Sequence, residues 1–304
     1  MNTNTEFKKD QAEQPFGSDG QECRQAGQQP FVIGQTRAAA FTLLELAVVL
    51  AVLAFLSCVL VPALCRTAPN SGAFQCLNNL RQLSAAWIMY ADDNRGRLVY
   101  NGDGGVAGLT SGEPSWVAGW LDFTSSSHNT NTAMLVNHDL YPYGAFLGPY
   151  LKSPMPFKCP ADISAVTMGG QSFPRVRSIS MSNRVGEHSR MWTYPSRFLM
   201  YRTMADLYEP SPSQLFVFVE EHESSINDGC FHSDPDTLFQ LVDYPASHHN
   251  SGGAFGFADG HSEIHAWHDS RTMPPFVQGQ FPYLNVNMPG NVDVLWLQQH
   301  CAGK

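Results

Sequence analysis

The chain has 304 residues, enough for one leader, one apolar span and one globular domain. Its net charge is −9 and no Lys/Arg-rich run occurs, which excludes a nucleic-acid-binding surface built on basic patches. Only 15% of residues are charged while Gly and Pro number 25 and 20, a composition that points to a loop-rich extracytoplasmic domain rather than a helical cytosolic enzyme.

Residues 1–40 are polar, rich in Gln, Gly, Asp and Glu, and carry no hydrophobic periodicity, so they read as a disordered cytoplasmic leader. Lys8, Lys9, Arg24 and Arg37 supply its cations, and Arg37 lies just before the apolar run, in weak accord with the positive-inside rule. Residues 41–65 follow. From Leu46 to Cys65 there is no charge over twenty residues, which predicts a transmembrane helix. Glu45 stands one turn inside its start. A carboxylate costs about 2.5–3.5 kcal/mol at the centre of such a helix, so Glu45 is a functional candidate.

Residues 66–96 predict an amphipathic continuation helix. Leu77, Leu80, Leu83 and Trp87 recur at spacings of three and four, and their stripe should pack on a sheet. Turn formers from Ala91 to Gly96 end it. Residues 98–132 read as an ordered loop anchored by Trp116, Trp120 and Phe123. Between Thr132 and Leu151, Pro142, Gly144 and Pro149 leave room for two short helices.

Strand-like runs come next: Arg175–Ser182, then Gln214–Glu221. Gly252–Ala258 and His261–Trp267 flank Asp259-Gly260, a dipeptide suited to a two-residue type I′ turn. That turn would pair Phe255 with Ile264 and Ala254 with His265. It would place Phe255, Phe257, Ile264 and Ala266 on the core face, and His261, Glu263 and His265 on the other. Val292–Leu297 fits a last strand or a short helix.

Of seven cysteines, Cys23 lies in the leader and Cys58 and Cys65 in the apolar run. Cys76, Cys159, Cys230 and Cys301 remain. In an oxidising compartment these four favour disulfides, and three pairings are open.

Ala40, the string Phe41-Thr42-Leu43-Leu44-Glu45-Leu46 and the apolar run with Pro62 resemble the type IV prepilin class of signals. That resemblance implies cleavage between Ala40 and Phe41 by a prepilin peptidase and N-methylation of Phe41. It also implies an assembly role for Glu45, which would meet the N-terminal amine of the neighbouring subunit. A carboxylate in low dielectric is tolerable when a cation pairs with it. The class usually has Gly before the cut, where this chain has Ala40. Without the resemblance, the stretch reads as an ordinary signal anchor.

A second resemblance covers most of residues 40–300. Cys76-Leu-Asn-Asn-Leu-Arg-Gln-Leu83, Met89–Asn94, Lys158–Asp162, Phe218–Glu223 and His249 followed by Asp259-Gly260 resemble pseudopilin-like proteins with a DUF1559-type "H-X9-DG" C-terminal region. In that group the two motif cysteines recur together, which implies a Cys76–Cys159 disulfide. The two resemblances imply an α+β, pilin-like fold: a long N-terminal hydrophobic helix, then a globular domain with an antiparallel β-sheet over residues 97–304.

Carboxylates and imidazoles gather at Glu220, Glu221, His222, Glu223, Asp228, His232, Asp234, His248, His249, Asp259, His261, Glu263 and His265. Such a mixture suits a divalent metal. Carboxylates with carbonyls suit calcium, which pseudopilins of type II secretion bind in a C-terminal loop. The first candidates are Glu221, His249 and Asp259, at the ends of neighbouring strand candidates. A solvated strand face with hydrogen-bonded loops is the plainer alternative. The sequence has no HExxH, CxxC, EF-hand or GxSxG motif.

The functional expectation is a non-enzymatic, pseudopilin-like structural subunit of a type II secretion or type IV pilus-related envelope filament. It would be stored in the inner membrane as a single-pass protein, with its C-terminal domain in the periplasm or on the filament. Its partners would be membrane lipid, the prepilin peptidase, like subunits and secretion machinery, with no nucleic acid. The alternative is an anchored periplasmic binding protein or enzyme reusing the signal, with Trp116, Trp120 and Trp192 as an aromatic glycan platform.

Overall fold

A computed structural model describes residues 42–65, 72–186, 196–280 and 282–304, with side chains placed up to residue 56 in the first of these segments. The cleavage pair Ala40 and Phe41 and the aromatic Trp192 lie outside the described residues. The chain divides into two units, one ending at Cys58 and the other beginning at Val59.

Five α-helices are described: α1 (Leu43–Cys65), α2 (Gly72–Asp93), α3 (Ala133–Val136), α4 (Gly148–Leu151) and α5 (Val292–Cys301). Nine strands accompany them: β1 (Ala165–Met168), β2 (Gln171–Pro174), β3 (Ile179–Ser182), β4 (Phe216–Glu220), β5 (Cys230–Phe231), β6 (Gln240–Leu241), β7 (Gly252–Phe257), β8 (Ser262–Ala266) and β9 (Val286–Asn287).

Two expectations are corrected. Among the described residues no helix is long and apolar enough to cross a membrane. The single-pass inner-membrane placement is overturned on that ground. The pilin-like plan of one long hydrophobic helix feeding an antiparallel sheet is overturned with it. The fold is a mixed α+β arrangement, and its main sheet contains a parallel pair.

Thr42 and Glu45 start α1 with a capping box. The Thr42 backbone N–H and hydroxyl both donate to Glu45 Oε2 at 2.9 Å, and the Glu45 N–H donates to Thr42 Oγ1 at 3.2 Å. Two otherwise orphan donors at the helix start are thereby satisfied. Every described side chain of α1 is exposed, and all but Glu45 are apolar.

In the second unit the main sheet has the order β5-β3-β4-β7-β8. Its pairs are antiparallel except β3 with β5. The helix α2 lies against β7, β4 and β8. It buries Leu80, Leu83 and Trp87 of the predicted stripe together with Cys76 and Ser84, while Leu77 is only partly buried. Gly256 permits this approach, since a Cβ there would fall 2.8 Å from Ser84 Oγ and 3.5 Å from Leu80 Cβ. The opposite packing is aromatic: Phe255 meets Phe216, Trp267 and Trp296 edge-on at 5.0–5.8 Å.

The β7–β8 hairpin departs from the sequence reading by one residue. Phe255 pairs with Glu263 and Ala254 with Ile264. The Phe257 N–H donates to the His261 carbonyl at 2.9 Å, so three residues, Ala258 to Gly260, form the loop. Gly260 has φ +93° there, the left-handed conformation that a three-residue hairpin loop requires. The one-residue slip moves Ile264 from the Phe255 position to that of Ala254.

Residues between Ala133 and Leu151 form two single-turn helices, as the breakers predict. Trp116 anchors the loop before them. It is fully buried, stacks on Phe157 at 5.7 Å, and its Nε1 donates to the Gly229 carbonyl at 2.9 Å. It therefore cannot belong to an exposed aromatic platform. The tail is helical, because Asn291 Oδ1 accepts from the N–H groups of Asp293 and Val294 and caps α5.

Candidate metal centre

Four segments remote in sequence converge beneath α2. Cys76 comes from its first turn and a half. Cys159 follows a one-turn 3-10 helix, Met155–Phe157. Glu220 ends β4, and His249 sits in the turn before β7. One ligand atom from each of these four side chains lies within 4.8 Å of all the others. Cys159 Sγ is 3.4 Å from His249 Nε2, which is 3.0 Å from Glu220 Oε2. The two cysteines and the glutamate are 0% exposed, and His249 is 9% exposed. This buried Cys/Cys/Glu/His cluster could hold a metal ion.

Each ligand is held by its surroundings. The Cys159 N–H donates to Ser178 Oγ at 2.7 Å, and the Ala161 N–H points at its sulfur at 3.4 Å. Asn79 on α2 donates to the Lys158 carbonyl at 2.9 Å, tying the Cys159 segment to the Cys76 helix. The other carboxylate oxygen of Glu220, Oε1, lies 2.8 Å from His248 Nδ1, while His248 Nε2 lies 2.7 Å from Glu223 Oε1. A carboxylate at both ring nitrogens makes His248 an imidazolium.

The protonation pattern follows from this geometry. Burial pulls His248 down, but its bonds to Cys159, Glu220 and Glu223 outweigh that and raise it to about 12. Burial likewise opposes the charged form of His249, which Cys159 and Glu220 raise to about 9. Glu220 resists its own burial and is drawn down to about 2 by hydrogen bonds from His248 and His249. The hydrogen bond from Cys76, acting against burial and aided by both histidines, lowers Cys159 to about 6. Cys76 is pushed well above the ordinary thiol range by the same bond and by burial. The cluster thus pairs a thiolate at Cys159 and a carboxylate at Glu220 with imidazolium.

Of the three first candidates, Glu221, His249 and Asp259, only His249 takes part in the cluster. Glu221 adjoins Glu220, but alternation along the strand turns it away, and its Oε1 accepts from Ser225 Oγ at 2.9 Å. Asp259 is on the exposed hairpin loop, 3.0 Å from the His261 N–H. The expected disulfide partners are brought together, as free thiols rather than as a bond. Cys230 and Cys301 are also free and buried. The sequence reading named Glu220 among the gathered carboxylates but chose its neighbour Glu221 as the ligand, and it treated Cys76 and Cys159 as a covalent pair. Their only signal was the presence of acid, imidazole and two thiols between residues 76 and 249.

No protein family model, no curated protein and no solved structure matches the chain.

Proposed function

We propose that this chain is a structural subunit that assembles with copies of itself through α1, in the manner of a pseudopilin-like filament protein. One observation carries the reading: from Leu43 to Leu56 the side chains of α1 are exposed, and no polar face exists beyond Glu45. A helix apolar all round needs cover on every side. The same helix from neighbouring copies provides it, through close packing of Leu, Val, Ala and Phe side chains. In this reading a prepilin peptidase cuts between Ala40 and Phe41, which leaves the new amine near Glu45. Peptide mass spectrometry of the native protein, which should begin at N-methyl-Phe41, tests that step.

The role of the second unit is structural rather than catalytic. Its reactive constellation is closed off: the Cys159 sulfur that Cys76 and the histidines activate belongs to a residue with no exposed surface. A binding protein with an aromatic platform is disfavoured by the burial of Trp116.

The capping box gives the experiment its control. Gln supports the same box as Glu, whereas Val does not. If the Glu45 charge serves assembly, Glu45→Gln and Glu45→Val both lower the yield of crosslinked multimers. If Glu45 serves only the helix start, Glu45→Gln assembles like the wild type and the pilin-type role of the charge fails. A wild type that yields no multimers sinks the whole reading.

A further inference from the structure

We propose that Cys76, Cys159, Glu220 and His249 form a closed structural zinc site that pins α2 to the sheet. The inference stands on the second unit alone and is independent of whether α1 assembles.

The donor set selects the ion. Two sulfurs, one imidazole nitrogen and one carboxylate oxygen suit zinc, which takes such ligands in tetrahedral geometry. Calcium needs six to eight oxygens, and magnesium keeps several waters, so neither matches. Bonds of about 2.3 Å to sulfur and about 2.0–2.2 Å to nitrogen and oxygen put tetrahedral donors about 3.3–3.8 Å apart. The separations of 3.4 Å and 3.0 Å lie within a few tenths of an ångström of these spacings, and with every pair within 4.8 Å the four donors close on one ion through shifts of about 1 Å or less.

Protein groups supply all four positions, and burial keeps out substrate. Both features mark a structural site rather than a catalytic one. The ligating carboxylate is itself held in place. His248 Nδ1 holds Glu220 Oε1, leaving Oε2, the oxygen that faces His249, as the ligand. Charge is consistent with the choice. Zinc with two thiolates, one carboxylate and a neutral imidazole carries one net negative charge, which the His248 cation offsets.

The ligand segments explain the function of such an ion. α2 meets the sheet through an apolar stripe and a few hydrogen bonds. A metal joining α2, the Cys159 loop, β4 and the turn before β7 cross-links four segments that no local motif connects. It takes the place that a Cys76–Cys159 disulfide would otherwise fill, and the two states are mutually exclusive because both use the same sulfurs.

The test uses the full chain, purified reduced, stripped with chelator and titrated with Zn2+ alone. The expected result is one zinc per chain. Zinc should protect Cys76 and Cys159 from alkylation, and chelator should restore their reactivity. Cobalt substitution should give the visible bands of a tetrahedral ion with thiolate charge transfer. Cys159→Ser leaves one sulfur ligand, so it should either abolish the binding or roughly halve the charge-transfer intensity per bound cobalt. His248→Gln keeps all four ligands, so it should retain one site with affinity lowered about 10–100-fold. If the folded, reduced wild type binds no zinc, or alkylation of the two cysteines ignores zinc, the proposal is overturned. A Cys76–Cys159 disulfide in protein isolated with zinc present overturns it as well.

Discussion

Asp243 offers a quantitative check on the buried electrostatics of the second unit. Its carboxyl is buried and accepts from the His232 N–H at 2.6 Å. Burial, with Asp228 and Asp103 nearby, raises its pKa to about 8. An unfolded aspartate titrates near 3.9. Between about pH 4 and 8 the folded chain therefore keeps a proton that the unfolded chain has lost. The sign follows: stability contributed by this proton is full at the acidic end and falls as pH rises towards 8. One such proton changes the unfolding free energy by at most about 1.4 kcal/mol per pH unit. Asp243→Asn removes the titration while keeping an oxygen for the His232 N–H. The variant should lose less stability than the wild type from pH 5 to 8, by about 1 kcal/mol per unit, and should be the more stable protein at pH 8. Urea unfolding at four pH values, with metal concentration fixed, measures this. Parallel stability curves for the two proteins would refute the buried, protonated Asp243.

Two stability predictions concern the packing around α2 and α5. Gly256→Val places a branched side chain where even a Cβ meets Ser84 at 2.8 Å, so it should cost about 1–3 kcal/mol or more in denaturant unfolding. An unchanged midpoint would show that α2 does not close on β7 as described. Asn291→Ala removes the cap of α5 and its hydrogen bond from Nδ2 to Thr272 Oγ1, which should cost about 0.5–2 kcal/mol. A loss below about 0.3 kcal/mol would argue against the cap.

Local patterns were legible in the sequence where one physical cause dominates. The α2 stripe, the two turns broken by proline and glycine, and the β4 run all follow from periodicity or from breakers. The hairpin shows where this stops. Asp259-Gly260 announces a turn, but the dipeptide does not say whether Ala258 joins the loop, and that one residue decides which side of β8 meets α2. The site shows a deeper limit. Glu220 ends β4 and Glu221 follows it, and sequence cannot tell which of them joins the cluster beneath α2. The ligands come from four segments, so no spacing motif exists to find. Glu45 carried two meanings at once: the apolar context suggests a buried charge awaiting a partner, while Thr42 three residues earlier supplies a local capping box. The membrane reading rested on twenty uncharged residues in a row, and the described helices do not bear it out.

Self-association through α1 is the central claim, and Leu50 is the place to test it. Its side chain is exposed near the middle of the apolar stretch. A photoreactive phenylalanine analogue at position 50 of the full chain, irradiated in the native assembly and mapped by mass spectrometry, reads the neighbour directly. The account predicts crosslinks to residues of α1 in another copy, lost when Val49→Asp is added. Crosslinks that fall only within the same copy, or on no protein at all, would contradict it.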